Sequence, residues 1–249
     1  MKKVNLIKSI SIIAIALAFG ACKKDSSQRS ASGSQVNFGL SADNAASSLT
    51  SSVNGSAVTN STASATVNWT SAVANIAYFK LEAKTRNTEI EIKTRSLLNV
   101  DLFAVTPPVI GASIDTGTYR EIEVKVVLAK TNTSAIPFTL KGAFTTPGGA
   151  VVPVEFDFND DAELKAEVKN VTIDGKTDWA TTIKLHLNRL LFGVTPSALD
   201  AATRTGGTIL ISSKDNVTIY NKIITNFPSS GDDDGFHHNE GGDDHGGDH

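Results

Sequence analysis

From Val67 to Leu187 apolar and polar side chains alternate with a period of two, and this constrains the fold more than any other feature of the chain. Successive side chains of a strand leave on opposite faces, so such a pattern buries one face and wets the other. Phe79, Leu81 and Ala83 share one face, with Tyr78, Lys80, Glu82 and Lys84 on the other. After a polar turn at Arg86-Asn87, Ile90 and Ile92 alternate with Glu89, Glu91 and Lys93. Ile122, Val124 and Val126 then alternate with Glu121, Glu123 and Lys125. Phe138, Leu140 and Phe144 run into a turn at Pro147-Gly148-Gly149, followed by Val154, Phe156 and Phe158. Leu164, Ala166 and Val168 precede a turn at Asp174-Gly175, and Ile183, Leu185 and Leu187 close the series. Many short strands with one apolar face each predict a mainly β chain, an antiparallel β-sandwich of Ig-like or transthyretin-like type over residues 35–228.

Two short helices are expected near the C-terminal end of that domain. Thr195-Pro196 supplies a cap and a first-turn proline for Ser197–Thr203. Ile219, Tyr220, Ile223, Ile224 and Phe227 fit a helical stripe opened by Asp215 or Asn216, with a final strand as the rival reading. Pro228 is expected to end the element either way. Residues 41–66, rich in Ser, Ala, Thr and Asn, read as a long loop or a weakly paired segment, and no fixed-period repeat is present.

The ends differ from the middle. Met1–Ala21 opens with Lys2 and Lys3 and continues into the apolar run Ile10–Phe19, about half the length that a membrane-spanning helix needs. The run ends in Phe19-Gly20-Ala21-Cys22, small residues set before the only cysteine of 249 residues. This resembles the lipobox of bacterial lipoproteins, in which that thiol is lipidated and the signal is cut just before it. The family more often has leucine where Phe19 stands. The resemblance implies a signal peptide at 1–21, an acylated (palmitate-bearing) Cys22, and a Ser-rich tether over 22–34. No aspartate stands directly after the cysteine, as inner-membrane retention would require. Lys23-Lys24-Asp25 also resembles the start of surface-displayed lipoproteins of the Bacteroidetes.

Charge narrows the partners. Residues 1–21 carry +3, residues 229–249 carry −7, and with −3 overall the body is left at +1. A nearly neutral body has no electrostatic footprint for nucleic acid. One cysteine excludes a disulfide framework.

Chemistry-bearing residues are few. His186, between Leu185 and Leu187, is the body's only histidine, and no Gly-x-Ser-x-Gly turn accompanies it. It reads as an exposed or hydrogen-bonded strand residue, so no catalytic residue is assigned and the chain is not read as an enzyme. Asp157, Asp160, Asp161 and Glu163 could suit glycoside hydrolysis or calcium, but they lack the alternate-ligand spacing of a calcium loop and read first as a solvated turn. Trp69 and Trp179 could stack on sugars if exposed, and otherwise fill the core. The stretch 229–249 is expected to be a disordered Asp/His/Gly-rich tail. It holds four of the five histidines, and His237, His238, His245 and His249 with Asp243, Asp244 and Asp248 form a loose ligand set for Zn or Ni.

Ile114-Asp-Thr-Gly-Thr-Tyr-Arg-Glu-Ile-Glu-Val-Lys-Val126, with Val100-Asp101-Leu102-Phe103 before it, is similar to a signature of Bacteroidetes-type outer-membrane lipoproteins with an Ig-like or fimbrillin-like sandwich. The resemblance runs loosely over 65–227 and carries no catalytic residues. An immunoglobulin tyrosine corner at Tyr119 fits less well, because Glu121 stands where an inward residue is needed. The expectation is an outer-membrane lipoprotein, facing the periplasm or the cell surface, that serves as a binding or structural module for a glycan or protein partner. A metal-sequestering lipoprotein using the tail is the first alternative, and an envelope hydrolase using the acidic cluster is the second.

Overall fold

The computed structural model describes residues 33–49, 65–233 and 237–239. Cys22, the signal segment 1–21 and most of the tether lie outside them, as do His245, His249, Asp243, Asp244 and Asp248. In chain order the strands are β1 (Gly33–Asp43), β2 (Ala46–Leu49), β3 (Ala65–Ile76), β4 (Tyr78–Lys84), β5 (Glu89–Lys93) and β6 (Leu97–Asp101). Next come β7 (Val109–Asp115), β8 (Gly117–Leu128), β9 (Phe138–Thr145), β10 (Val151–Phe158), β11 (Ala162–Ile173) and β12 (Asp178–His186). The chain ends through α1 (Leu187–Leu190), α2 (Pro196–Asp200), β13 (Arg204–Thr205), β14 (Thr208–Ile211), α3 (Val217–Ser230), β15 (Gly231–Asp233) and β16 (His237–Asn239).

The chain is mainly β, in three sheets. One runs β11-β8-β4-β5 and is antiparallel throughout. The largest runs β13-β14-β10-β9-β3-β2, with β6 also on β3. The third places β1 between β12 and β7, and both β15 and β16 pair with β12. Two pairs are parallel, β1 with β12 and β10 with β14, so the expectation of purely antiparallel sheets fails. Parallel neighbours need long connections, and alternation within a strand is blind to the direction of its partner.

The inward rows are those the alternation picks out. Phe79, Leu81, Ala83, Ile122, Val124, Val126, Leu140, Phe156 and Ile183 are all buried in one continuous core. Its far end is aromatic: Phe158 stacks on Phe227 at 4.6 Å, and Phe138 meets Phe227 edge-on at 5.9 Å. Those contacts hold α3 against β9 and β10. Both tryptophans, Trp69 and Trp179, are core residues, leaving no exposed indole for sugar stacking among the described residues.

Several expectations are corrected. For residues 41–66 the loop reading fails and the weakly paired one holds in part, because β1 extends to Asp43, the short β2 pairs with β3, and β3 starts at Ala65; 50–64 lie outside the described residues. Gly33 and Ser34, placed in the tether, open β1. Leu187 belongs to α1 rather than to the last strand, its burial continuing as Leu187 and Leu190 on one turn. Thr195 caps α2, its hydroxyl accepting from the Ala198 N–H at 3.2 Å, but the helix ends at Asp200. Pro228 does not end α3, which runs on to Ser230. The tail is not wholly outside the fold, for its residues 231–233 and 237–239 pair with β12, Gly231 opposite Leu185 and His238 opposite Trp179.

Candidate functional sites

The acidic cluster between β10 and β11 is taken up by structural roles. Asn159 grips the loop after β8, its Nδ2 donating to Thr131 O at 2.8 Å while its Oδ1 accepts from the Thr131 N–H at 2.9 Å. Asp161 accepts the Lys130 N–H at 2.8 Å. Asp160 faces Lys130 Nζ at 3.3 Å and accepts the Tyr220 hydroxyl at 3.1 Å, which ties α3 to the turn. Burial, and then the Asp160 charge, push the Tyr220 hydroxyl up to about 12. Asp157 points elsewhere, taking a hydrogen bond from Thr139 Oγ1 at 3.3 Å; burial and then Glu155 raise its carboxyl above the usual range. Glu163 stands on β11 opposite Val127. The four acids are not brought together, and among the described residues no three His, Cys, Asp or Glu side chains cluster as a metal site.

His186 has a carboxylate partner that lies 143 residues away. Its Nδ1 is 2.5 Å from Asp43 Oδ1, at the end of the parallel β1–β12 pair. Asn44, in the left-handed region at φ 51°, donates Nδ2 to Asp43 Oδ1 at 2.9 Å. This pins the turn from β1 into β2 to the start of α1. No local sequence signal joins Asp43 to His186; only the parallel pairing does.

The outward face of the β11-β8-β4-β5 sheet carries an ordered charge lattice. Register places Lys93, Lys80, Lys125 and Lys165 in one row across the strands, and Glu91, Glu82, Glu123 and Glu167 in the next. Like charges therefore face each other directly across strands, which is ordinarily unfavourable. Attraction along and diagonally between strands offsets this: Lys125–Glu123 at 2.7 Å, Lys125–Glu82 at 3.3 Å, Lys165–Glu123 at 3.2 Å, and Lys80 against Glu82. Packed stems leave Glu82 and Glu123 buried although they point away from the core. The Lys80 hydrogen bond, helped by Lys125, holds the Glu82 carboxyl at about 2, below its usual 4.5. Lys125 is raised by Glu123 and then Glu82. The alternating acids and lysines were visible in the sequence; their assembly into rows depends on register.

Tyr119 is a further residue undervalued by sequence alone. It is buried, and its hydroxyl donates to Asp115 O at 2.9 Å, four residues upstream. Glu121 does not stand in the way, because the inward phase changes between Tyr119 and Ile122, opposite Asn170 at φ 55° on β11. No helix among the described residues is long and apolar enough to cross a membrane. Comparison with protein-family models, with curated proteins and with solved structures finds no match to this chain.

Proposed function

We propose that this chain is a lipid-anchored outer-membrane protein, facing the periplasm or the cell surface, whose β-rich body is a non-catalytic binding or structural module. The observation that carries this reading is the single cysteine, Cys22, set directly after Gly20-Ala21 at the end of a short apolar run. Each acyl methylene buried in a bilayer contributes roughly 0.8 kcal/mol, so a multiply acylated cysteine is a lasting anchor where one chain would be reversible. The finer reading of the body as an Ig-like sandwich draws support from Tyr119, whose upstream hydrogen bond has the form of a tyrosine corner. In this reading the loops or strand edges of the body contact a glycan or protein partner. Feeding cells an alkyne fatty acid tests the anchor. The native chain should be labelled and membrane-bound, and Cys22→Ser unlabelled and either released or left as uncut precursor. Unlabelled native protein, or processing indifferent to globomycin, overturns it.

A second reading is favoured by the concentration of four of the five histidines in residues 229–249: sequestration of Zn or Ni by the tail. Neutral imidazoles are the ligating form, so binding should weaken steeply between about pH 7 and pH 5.5 as groups with reference pKa near 6.5 take up protons. Calcium held by carboxylates would show no such loss. Titration of Zn into the full chain and a chain lacking 229–249 decides it, and equal affinity of the two removes the reading.

A further inference from the structure

A groove of about 490 Å3 lies between α2 and α3. Its floor is apolar, from Val194, Ala198 and Ile219, and its rim carries Thr218, Asn221 and Lys222. The rim residues sit at positions 218, 221 and 222 of one helix and so share a face. The opposite face of α3 is spent on the core through Tyr220, Ile223 and Phe227.

The second wall is fixed in place. Asn226 Nδ2 donates to Leu190 O and to Phe192 O, both at 2.9 Å, and so holds the turn that leads into Gly193. Gly193 adopts φ 73°, and a Cβ there would lie 2.6 Å from Lys222 Cε, so the lysine stem lies flat over a backbone that only glycine provides. No carboxylate of the described residues pairs with the Lys222 ammonium. Beside the groove, Phe192 is 76% exposed and Val217 41% exposed, among the few large apolar side chains left in water.

A preformed apolar trough with one unpaired cation on its rim suits a ligand with an apolar body and one negative end. We propose that this groove binds a medium-chain alkanoate, with its carboxylate at Lys222 Nζ and its chain along Val194, Ala198 and Ile219. Thr218 and Asn221 supply further donors to the headgroup. The site deepens the reading of the body as a binding module by naming a ligand class, and it does not depend on the anchor.

Calorimetric titration of decanoate and of decanol, below their aggregation limits, into the full chain carrying Cys22→Ser tests it. Decanoate should saturate one site, and decanol should bind about tenfold more weakly, for want of a charge-assisted bond. Lys222→Ala should bring the two ligands to equal affinity. Ala198→Trp and Thr218→Trp, both at exposed positions, should fill the trough and abolish binding while the thermal melt stays unchanged. Absence of saturation, equal affinity of the native groove for both ligands, or unaltered decanoate binding in the tryptophan variants overturns the proposal. Acyl labelling of Cys22 is scored separately, so failure of the groove and failure of the anchor are told apart.

Discussion

Tyr119 shows how much a single hydroxyl can be asked to do. Its ring fills the core and its oxygen closes a bond to Asp115 O, so Tyr119→Phe keeps the packing and removes only that bond. The change should lower stability by about 1 kcal/mol in urea unfolding, the net worth of one such bond. Glu82 gives the pH dependence. Because its carboxyl is held at about 2 rather than 4.5, its stabilisation is complete above pH 4.5 and is lost as the pH falls through 2. Glu82→Gln should therefore lower stability at pH 7 and flatten the decline between pH 4.5 and 2, read as melting temperature against pH. An unchanged acid limb would mean that the lattice does not hold the carboxylate. At this scale the inward residues were legible, since burial follows alternation directly. Asp43 beside His186 was not, because nothing local marks residues brought together by a parallel pair.

At the scale of elements, the β4–β8 and β4–β5 pairings are set by something other than charge. A two-residue slip of β4 against β8 would place Glu82 opposite Lys125 in place of Glu123, whereas Lys84 already faces Glu121 at 2.7 Å in the observed register. Between β4 and β5 the register is held by the turn that joins them: the Thr85 N–H donates to Thr88 O at 2.9 Å, and Thr85 Oγ1 accepts from the Asn87 and Thr88 N–H groups. Directly opposed side chains are nearer than diagonal ones, so exchanging the charges of β4 should relieve the opposition. The double change Lys80→Glu with Glu82→Lys should raise stability by about 0.5 kcal/mol in urea unfolding. A loss of that size would show that the diagonal pairs dominate. Strand positions were legible from the period of two, and α2 from its Thr-Pro opening. The bulge in β3 was not. It sets Trp69 opposite Gly142 and Ser71 opposite Lys141, and Gly142 is required because a Cβ would lie 2.8 Å from Trp69 Cα.

At the scale of the whole molecule, the tail divides in two. Residues 231–233 and 237–239 cover an edge of β12, whereas 240–249 lie outside the described residues. Deleting 240–249 should leave the melting temperature unchanged. Deleting 231–249 should lower it and expose a strand edge prone to association, visible by light scattering. Equal effects of the two deletions would mean that the pairing with β12 contributes nothing. Composition alone marked all of 229–249 as tail, because glycines and like charges hide a segment that is held by its backbone.

The parallel pairing of β1 with β12 also governs when this molecule can fold. Its first strand has no partner until β7 has been made on one side and β12 on the other, and Asp43 waits 143 residues for His186. Closing so long a loop must precede the contacts that reward it, which places folding in the slow range of milliseconds to seconds that non-local β topologies share. A nascent chain of this design stays open at its N-terminal strand until nearly all of it has been synthesised.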